Sequence, residues 1–391
     1  MLNPLQNALQ AVGPESADPR TALVQAKIRG LLQGYDARWT GCTWRVNAVE
    51  TTLMAGLWNP ETEASSRTFQ NAGKIDVDIT DTPLGSDGPQ RFVVDHKTCS
   101  ESIDDAAADY WRSLVIEGQL SQYMLLGHQN GIRYDSGIWD VCRKPGISPR
   151  KITIVEMKEM KATRTWFCAT LSDIQIESSF NTGRESLELY SMRVAHDCTK
   201  ERPQYYFQRR QIPRTDGDLI EYAQDTWDLG QELIASRAVI REFKKRGIDR
   251  QPQRSAKACF MHNSPCEFLK VCTGEEMLEG SERWQKKEWM HPELPILKDG
   301  NGTDVLTNSR LGVFQVCRRK HHLKYELGYE RPNEEEKVAL FFGTMWHSAL
   351  EAYFKAVQIN QRGESIDSNI TGAASSAAAI TASEDQFQIP F

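Results

Sequence analysis

Two short segments with strand-like alternation, separated by a turn-rich stretch, predict a β-hairpin in the first quarter of the chain. The segment KIDVDIT contains Asp76, and the segment RFVVDHKT contains Asp95, His96 and Lys97. The PLGSDGPQ stretch between them has the Gly, Pro and Asp content of a hairpin loop. Because side chains alternate along a strand, Asp95 and Lys97 share one face while His96 points away. If the strands pair, the two aspartates lie side by side.

Hydrophobic residues at helical spacing predict helices on both sides of this hairpin. One of them spans 110–131 and is broken at Gly118, and another spans 337–354, where Gly343 is expected at a close backbone approach. Further helices are predicted at 19–39 and 218–245, and strands at 44–57 and within 131–149. A strand, a hairpin, a helix and a strand in this order predict an α/β fold.

Composition sets broad limits on the class of protein. The chain has 391 residues, 40% of them hydrophobic, which is enough for one large domain or two ordinary ones. It has no hydrophobic run of transmembrane length, and its first residues lack the features of a secretory signal, so we expect a soluble, cytoplasmic protein without a membrane partner. The net charge of −6 means that polyanion binding would need local basic clusters or metal ions.

One local basic cluster lies at 209–214, where RRQIPR follows the aromatic run at 205–207. Aromatic side chains that stack on bases and arginines that contact phosphates are typical of a single-strand channel. A sheet edge with solvated arginines explains the same pattern equally well.

The two neighbouring aspartates indicate a candidate metal site. Adjacent carboxylates repel unless a cation lies between them, and oxygen ligands favour Mg²⁺ or Mn²⁺. Such an ion lowers the pKa of a bound water, while Lys97 could orient that water or stabilise the transition state, as in a phosphodiesterase. Glu50 is either a further acidic group near the metal or a strand residue paired with a lysine. A surface ion pair explains the short Asp-x-Lys pattern on its own.

Three cysteines, Cys259, Cys266 and Cys272, lie close together among hydrophobic residues and predict a soft metal site. Cys317 is the candidate fourth ligand. His262, His321 and His322 could instead complete a zinc site. The remaining cysteines are predicted to be small buried or neutral residues; they are Cys42, Cys99, Cys142, Cys168 and Cys198.

Four motifs and the cysteine set together resemble the RecB-type branch of the PD-(D/E)XK nucleases. The motifs are GKID at 73–76, VVDHKT at 93–98, QLSQY at 119–123 and FGTMWH at 342–347. The similarity covers most of residues 20–356 and is greatest to phage-encoded members and to the AddB and CRISPR-associated nucleases that carry an iron–sulfur cluster. It implies a restriction-endonuclease-like central mixed β-sheet flanked by helices, with a helical subdomain around the cysteines.

The resemblance also implies roles for individual residues. Asp76, Asp95 and His347 would be ligands of Mg²⁺ or Mn²⁺, together with the backbone carbonyl of His96. Lys97 would act on the attacking water. Gln119 and Tyr123 match the motif that follows the catalytic lysine in this branch. A [4Fe-4S] cluster, with Zn²⁺ as the alternative, would be held by Cys259, Cys266, Cys272 and Cys317.

The function implied by the resemblance is that of a metal-dependent deoxyribonuclease. We expect a single-strand-preferring exonuclease that acts on DNA with free ends in phage or bacterial recombination, repair or processing, with a helicase or recombinase as a candidate partner. The alternative is a non-catalytic module that binds nucleic acid or a partner and retains the nuclease fold. In that case His347 would not reach the aspartates.

The motif order differs from that of the family, in which the segment with the cysteine and the G-x-x-x-H motif precedes the aspartates. We therefore predict a circularly permuted domain, which is tolerated where termini are exposed and close. Its parts would be a core with the three-cysteine cluster at 1–290, a linker at 291–308, the permuted segment at 309–358 packed on the core, and a flexible tail at 359–391. The alternative is a fragment of a tandem array whose site is completed between chains.

Overall fold

Helices surround one large sheet in this computed structural model, which describes residues 1–363 except 168, 262–263, 289, 292–293, 295–303 and 333–337. The helices are α1 (Pro4–Ala11), α2 (Pro19–Arg38), α3 (Asp109–Ile116), α4 (Gly118–Gln129), α5 (Ile154–Thr163), α6 (Asp173–Thr182), α7 (Leu187–His196), α8 (Pro203–Tyr206), α9 (Asp216–Lys245), α10 (Leu269–Thr273), α11 (Asn308–Val316), α12 (Arg318–His321) and α13 (Val338–Arg362). The strands are β1 (Arg45–Trp58), β2 (Ser65–Asp81), β3 (Gln90–Cys99), β4 (Ser136–Arg143), β5 (Thr165–Trp166), β6 (Ala169–Thr170), β7 (Phe207–Ile212), β8 (Phe260–Met261), β9 (Ser264–Pro265), β10 (Gln285–Lys286), β11 (Asp304–Leu306) and β12 (Tyr329–Glu330).

The central sheet has the strand order β1-β2-β3-β4-β7, and β11 pairs with β2 outside this path. The pairs β1–β2, β2–β3 and β4–β7 are antiparallel, whereas β3–β4 and β11–β2 are parallel. Helices α3 and α4 form the crossover between the parallel strands β3 and β4, as such a connection requires. The predicted mixed central sheet flanked by helices, consistent with a restriction-endonuclease-like fold, is confirmed.

The two faces of the sheet are covered by different helices. Phe92 and Val94 of β3 pack in one hydrophobic cluster with residues of α2 and α13, among them Trp346. Val93 points the other way, into a cluster with residues of α3 and α4 that includes Leu120. Helices α13 and α4 therefore reach the same strand from opposite sides, as the period of two along a strand demands.

Strands β2 and β3 pair only along part of their length. Their ladder ends at the pair Val77 and Val94, while β3 stays paired with β4 as far as Cys99. Strand β11 pairs with β2 at residues 69–71. Between these two partners the described strands leave a gap beside β2, and Asp76 and Asp95 are the first residues beyond the last β2–β3 pair. We call this place the fork.

The local predictions can be compared with the observed elements. The helix break at Gly118 is confirmed, because α3 ends at Ile116 and α4 begins at Gly118. The range predicted as a linker, 291–308, includes β11, and α13 continues to Arg362 into the range predicted as the tail. The rest of the predicted tail, from 364 onward, lies outside the described residues. None of the described helices combines the length and hydrophobicity needed to cross a membrane.

Candidate active site at the fork of strands β2 and β3

The carboxylate of Asp76 takes the place of the strand partner that β3 loses at the fork. The backbone N–H of His96 donates to Asp76 Oδ2 at 2.7 Å. His347 on α13 places its Nδ1 atom 3.5 Å from the same oxygen. The structure therefore brings together two predicted metal ligands that are far apart in the sequence.

The second carboxylate belongs to a connected polar group on the α4 face of the sheet. Lys97 Nζ lies 3.1 Å from Asp95 Oδ2 and donates to Gln119 Oε1 at 2.5 Å. Gln119 Nε2 donates to Asp95 Oδ1 at 2.8 Å and to the Tyr123 hydroxyl at 2.7 Å. Alternation along β3 and the one-turn spacing on α4 produce this arrangement. The Gln119 amide thus fixes the aspartate and the lysine relative to each other.

The charges at the fork are strongly coupled. Burial and the nearby Asp95 carboxylate raise the pKa of Asp76 to about 8. Burial alone would lower the pKa of Lys97, but Asp95 and Glu117 outweigh it, so this pKa is raised and the ammonium is charged. Burial, aided by His96, lowers the pKa of His347 to about 4. His347 is therefore neutral near pH 7, which is the form that binds metal ions.

These features can be compared with what a divalent cation requires. Asp95 Oδ2 is buried and accepts no hydrogen bond within the described structure, although Lys97 is near. The 3.5 Å between Asp76 Oδ2 and His347 Nδ1 is close to the ~3 Å expected of adjacent ligands bonded to one ion at ~2.1 Å. The donor set thus fits Mg²⁺ or Mn²⁺. Across the described ranges, however, no three His, Cys, Asp or Glu side chains are already arranged to hold a metal ion. Binding of one ion by Asp76, Asp95 and His347 together therefore requires a local rearrangement of these side chains.

A buried network fixes β3 from the other face of the sheet. His96 Nδ1 lies 3.4 Å from Asp140 Oδ2. The same oxygen accepts from the Tyr35 hydroxyl at 2.5 Å and lies 3.2 Å from Arg209 Nε. The network orients His96, whose backbone N–H in turn holds Asp76. Asp140 and Tyr35 are not evident from local sequence patterns; the signal in the chain is a single acidic residue within the hydrophobic segment GIWDVC.

Glu50 lies in the strand next to the fork. It is placed across from Asp76, between the ladder pairs Val49–Val77 and Thr51–Ile75. It forms an ion pair with Lys74 and also contributes to the raised pKa of Asp76. Its φ of 54° is left-handed, which costs a non-glycine residue about 1–3 kcal/mol. The two alternatives considered for Glu50, proximity to the aspartates and pairing with a lysine, therefore occur together.

The arginines at 209–214 are engaged within the protein. Arg209 is sandwiched between the rings of Trp39 and Trp44, at 3.9 and 3.7 Å from their centroids. Arg210 donates to the Ala106 carbonyl, before α3, at 2.9 Å, and Arg214 donates to the Val115 carbonyl, within α3, at 2.6 Å. The structure thus gives these guanidinium groups protein partners rather than placing them along a single-strand channel.

The four candidate cluster ligands come together in a region of short strands and turns. The backbone N–H of Cys266 donates to the Cys259 carbonyl at 2.8 Å, which closes a tight turn. Burial raises the pKa of the Cys272 thiol, Arg319 opposes this shift, and the thiols of Cys266, Cys317 and Cys259 add to it. The four cysteines are thus neighbours. They are half-buried free thiols, and they are not arranged as a ready ligand set within the described residues.

The histidines considered for a zinc site differ from one another. His321 is buried and accepts from Arg310 Nε at 3.1 Å. Burial and Arg310 lower its pKa to about 3. Its ring therefore belongs to the Arg310 network, and His262 lies outside the described residues. Of the single cysteines, Cys99, Cys142 and Cys198 are buried as predicted, Cys42 is exposed, and Cys168 lies outside the described residues.

The fold and the fork together define a restriction-endonuclease-like α/β protein with an acidic pair and a lysine at the centre of its sheet. In comparisons with known proteins, the model of the PD-(D/E)XK nuclease superfamily matches residues 305–387. This range includes Cys317, Gly343 and His347, covers less than half of the chain, and leaves Asp76 and Asp95 outside. Neither the curated proteins nor the solved structures contain a match. The match indicates a nuclease, and hence a nucleic-acid substrate.

Proposed function

We propose that the protein is a Mg²⁺- or Mn²⁺-dependent deoxyribonuclease whose active site is the fork. The observation that carries this proposal is the meeting of His347 with Asp76 at 3.5 Å, beside the Asp95–Lys97 pair at 3.1 Å. A carboxylate pair, a neutral imidazole and a fixed ammonium are the groups that metal-assisted phosphodiester hydrolysis uses.

Each residue at the fork has a distinct task in the proposed reaction. Asp76, Asp95, His347 and the backbone carbonyl of His96 would hold the ion, which supplies Lewis acidity and lowers the pKa of a water. Lys97 carries a positive charge next to the acidic pair, where it can orient the attacking water and stabilise negative charge on the phosphate. Gln119 and Tyr123 keep the ammonium in place.

The proposed domain organisation is a circular permutation. Residues 309–358 would be the segment that comes first in the family, packed on the core formed by 1–290. Helix α13 packs against α1, α2 and β1 of the same chain, and its His347 contacts Asp76 of that chain. These contacts favour a site completed within one chain over the tandem-array alternative. The region around Cys259, Cys266, Cys272 and Cys317 would hold a [4Fe-4S] cluster as in the RecB-type branch.

We further infer a preference for single-stranded DNA with a free end, because the resemblance to the RecB-type branch implies it. Linear and circular single strands of the same sequence, together with a duplex, would test this point. Degradation of the linear strand alone supports an exonuclease, whereas cleavage of the circle would establish an endonuclease.

The central test is the removal of the charges at the fork. Asp95→Asn and Lys97→Ala are expected to lower Mg²⁺-dependent cleavage of single-stranded DNA by at least about 10²–10³-fold, with the thermal unfolding temperature retained. Asp109→Asn is the matched control, because this carboxylate is exposed at the start of α3; it should leave activity unchanged.

Full cleavage by folded Asp95→Asn would discard the assignment. A wild-type protein that binds DNA but cleaves none with either ion would establish the non-catalytic alternative. The contact between His347 and Asp76 weighs against that alternative, which requires the histidine to be remote from the aspartates.

A further inference from the structure

A local concentration of positive charge lies at the end of α9, the longest of the described helices. Residues 241–257, here named the basic segment, contain seven Arg or Lys and two Asp or Glu in a chain of net charge −6. All seven basic side chains are exposed; they are Arg241, Lys244, Lys245, Arg246, Arg250, Arg254 and Lys257.

Most of this charge is not neutralised by the protein. Glu242 pairs with Arg246 at 3.1 Å and lies 4.0 Å from Lys245. Arg241 and Lys244, like Arg250, Arg254 and Lys257, form no ion pair within the described part of the chain. By contrast, Arg237, one turn before Arg241, forms ion pairs with Asp304 and Glu326. Along α9, Arg237 is therefore paired within the protein, and the basic side chains from Arg241 onward mostly face the solvent.

The end of α9 serves no visible packing purpose. The buried residues of this helix are Ala223, Thr226, Gly230 and Leu233, so none follows Leu233. The last turns place Arg241, Lys244 and Lys245 at three- and four-residue spacing, so that they form one exposed basic patch. Lys244 and Lys245 lie in the last turn, where the helix dipole favours cations. The patch is therefore available to an external anion.

Aromatic side chains accompany the basic groups. The Arg250 guanidinium lies 4.4 Å from the centroid of the Phe243 ring. Just beyond the segment, Phe260 is 67% exposed and Met261 is 42% exposed. Unpaired bases stack on exposed rings while nearby cations contact the phosphates. This combination fits a single nucleic-acid strand better than it fits an acidic protein.

We propose that the basic segment is an anchoring site for the substrate strand, separate from the fork at which cleavage takes place. The inference rests on the proposed function, since it assigns a second contact to the same substrate. Arg237, at the start of the exposed end of α9, is bonded to Asp304, which pairs with Phe69 of β2. Asp76 lies seven residues farther along β2, or about 23 Å. A strand stacked as in a duplex, at ~3.4 Å per nucleotide, covers this distance in about seven nucleotides, and an extended strand covers it in fewer.

Removal of positive charge from the basic segment tests the proposed anchoring site. The full chain carrying Asp95→Asn binds labelled (dT)₃₀ with and without four further changes: Arg241→Gln, Lys244→Gln, Lys245→Gln and Arg250→Gln. Affinity for (dT)₃₀ should fall at least about tenfold, and the slope of log K against log[salt] should drop by roughly 0.7 per lost phosphate contact.

The matched control removes four exposed basic residues elsewhere, by Lys151→Gln, Lys158→Gln, Lys161→Gln and Arg164→Gln. It should bind (dT)₃₀ as the parent does. The proposal is overturned if the basic-segment variant keeps the (dT)₃₀ affinity and the salt slope of its parent. This holds also if that variant loses binding only to polyglutamate, which represents an acidic protein partner. If the wild-type protein cleaves DNA in that case, the proposed function stands without the anchoring site; if the wild-type protein neither binds nor cleaves DNA, the proposed function itself has failed.

Discussion

The fork and the cysteine region both gather side chains from distant parts of the chain, yet they do so differently. At the fork, strands and long helices hold the polar groups, and Gln119 contacts Asp95, Lys97 and Tyr123 directly. In the cysteine region, short helical segments and the turns between them carry thiols, and the Cys259 thiol contacts the Ser255 carbonyl instead. A site built on long regular elements is organised before its ion arrives. A site built on such short segments is expected to gain its order from the proposed metal.

The largest effect should come from breaking the cysteine region. Cys317→Ser is expected to remove the proposed metal and several kcal/mol of stability, because structural metal binding contributes directly to folding. Iron, sulfide and zinc analysis, together with the visible absorbance of the purified protein, distinguishes a [4Fe-4S] cluster from zinc. Cys42→Ser is the control, because Cys42 is exposed and remote from the cluster in sequence. A Cys317→Ser protein with wild-type metal content and unfolding temperature would contradict the assignment.

A smaller effect is expected from the carboxylate repulsion at the fork. The pKa of Asp76 is raised to about 8 in the folded protein from an ordinary value of 3.8. The folded state therefore binds more protons than the unfolded state between these values, and the stability of the metal-free protein falls as pH rises toward 8. Differential scanning calorimetry in EDTA between pH 5 and 9 measures this fall.

Asp76→Asn should flatten that pH dependence, whereas the surface variant Asp109→Asn should keep it. Adding Mg²⁺ at pH 9 should restore stability to the wild type and not to Asp76→Asn. An unfolding temperature that rises with pH in EDTA would refute the proposed repulsion.

The smallest effects should come from two glycines that flank the site. A Cβ at Gly73 would lie 2.8 Å from the Tyr123 ring, whereas one at Gly343 would lie 3.7 Å from Thr98 Oγ1, an ordinary contact. The expectation that Gly343 is needed for close backbone approach is therefore wrong.

Gly343→Ala should stabilise the protein by up to about 1 kcal/mol through helix propensity and retain activity. Gly73→Ala should cost about 1–3 kcal/mol through overpacking and reduce cleavage by displacing Tyr123. Urea unfolding measures the change in the free energy of unfolding for each substitution. Equal changes in the two variants would contradict the predicted difference between the two contacts.

Local patterns predicted the hairpin, the shared face of Asp95 and Lys97, and the helix break at Gly118, because each depends on neighbours in sequence. The fork could not be predicted in the same way. Its opening depends on β11, more than 200 residues beyond β2, which takes over the edge of that strand. Alternation along β2 also fails at the fork, since Val77 packs on the α13 face and Ile75 on the α4 face.

The basic strand at 209–214 shows a second limit of sequence reasoning. Its composition resembles that of an exposed basic surface, but long-range partners decide where an arginine points. Arg209 instead pairs with Asp140 and packs between the rings of Trp39 and Trp44. The end of α9, by contrast, looks like an ordinary amphipathic helix in sequence, and only the position of its last buried residue shows that its charges face outward.

The place of α13 in the chain sets an order of events during synthesis. A ribosome completes the acidic pair about 250 residues before it makes His347. At ~5–20 residues per second, the nascent polypeptide carries an incomplete fork for roughly 13–50 s. Hydrolytic competence would therefore arise only late in translation, so that prematurely terminated products lacking α13 would be inert toward nucleic acids in the cell.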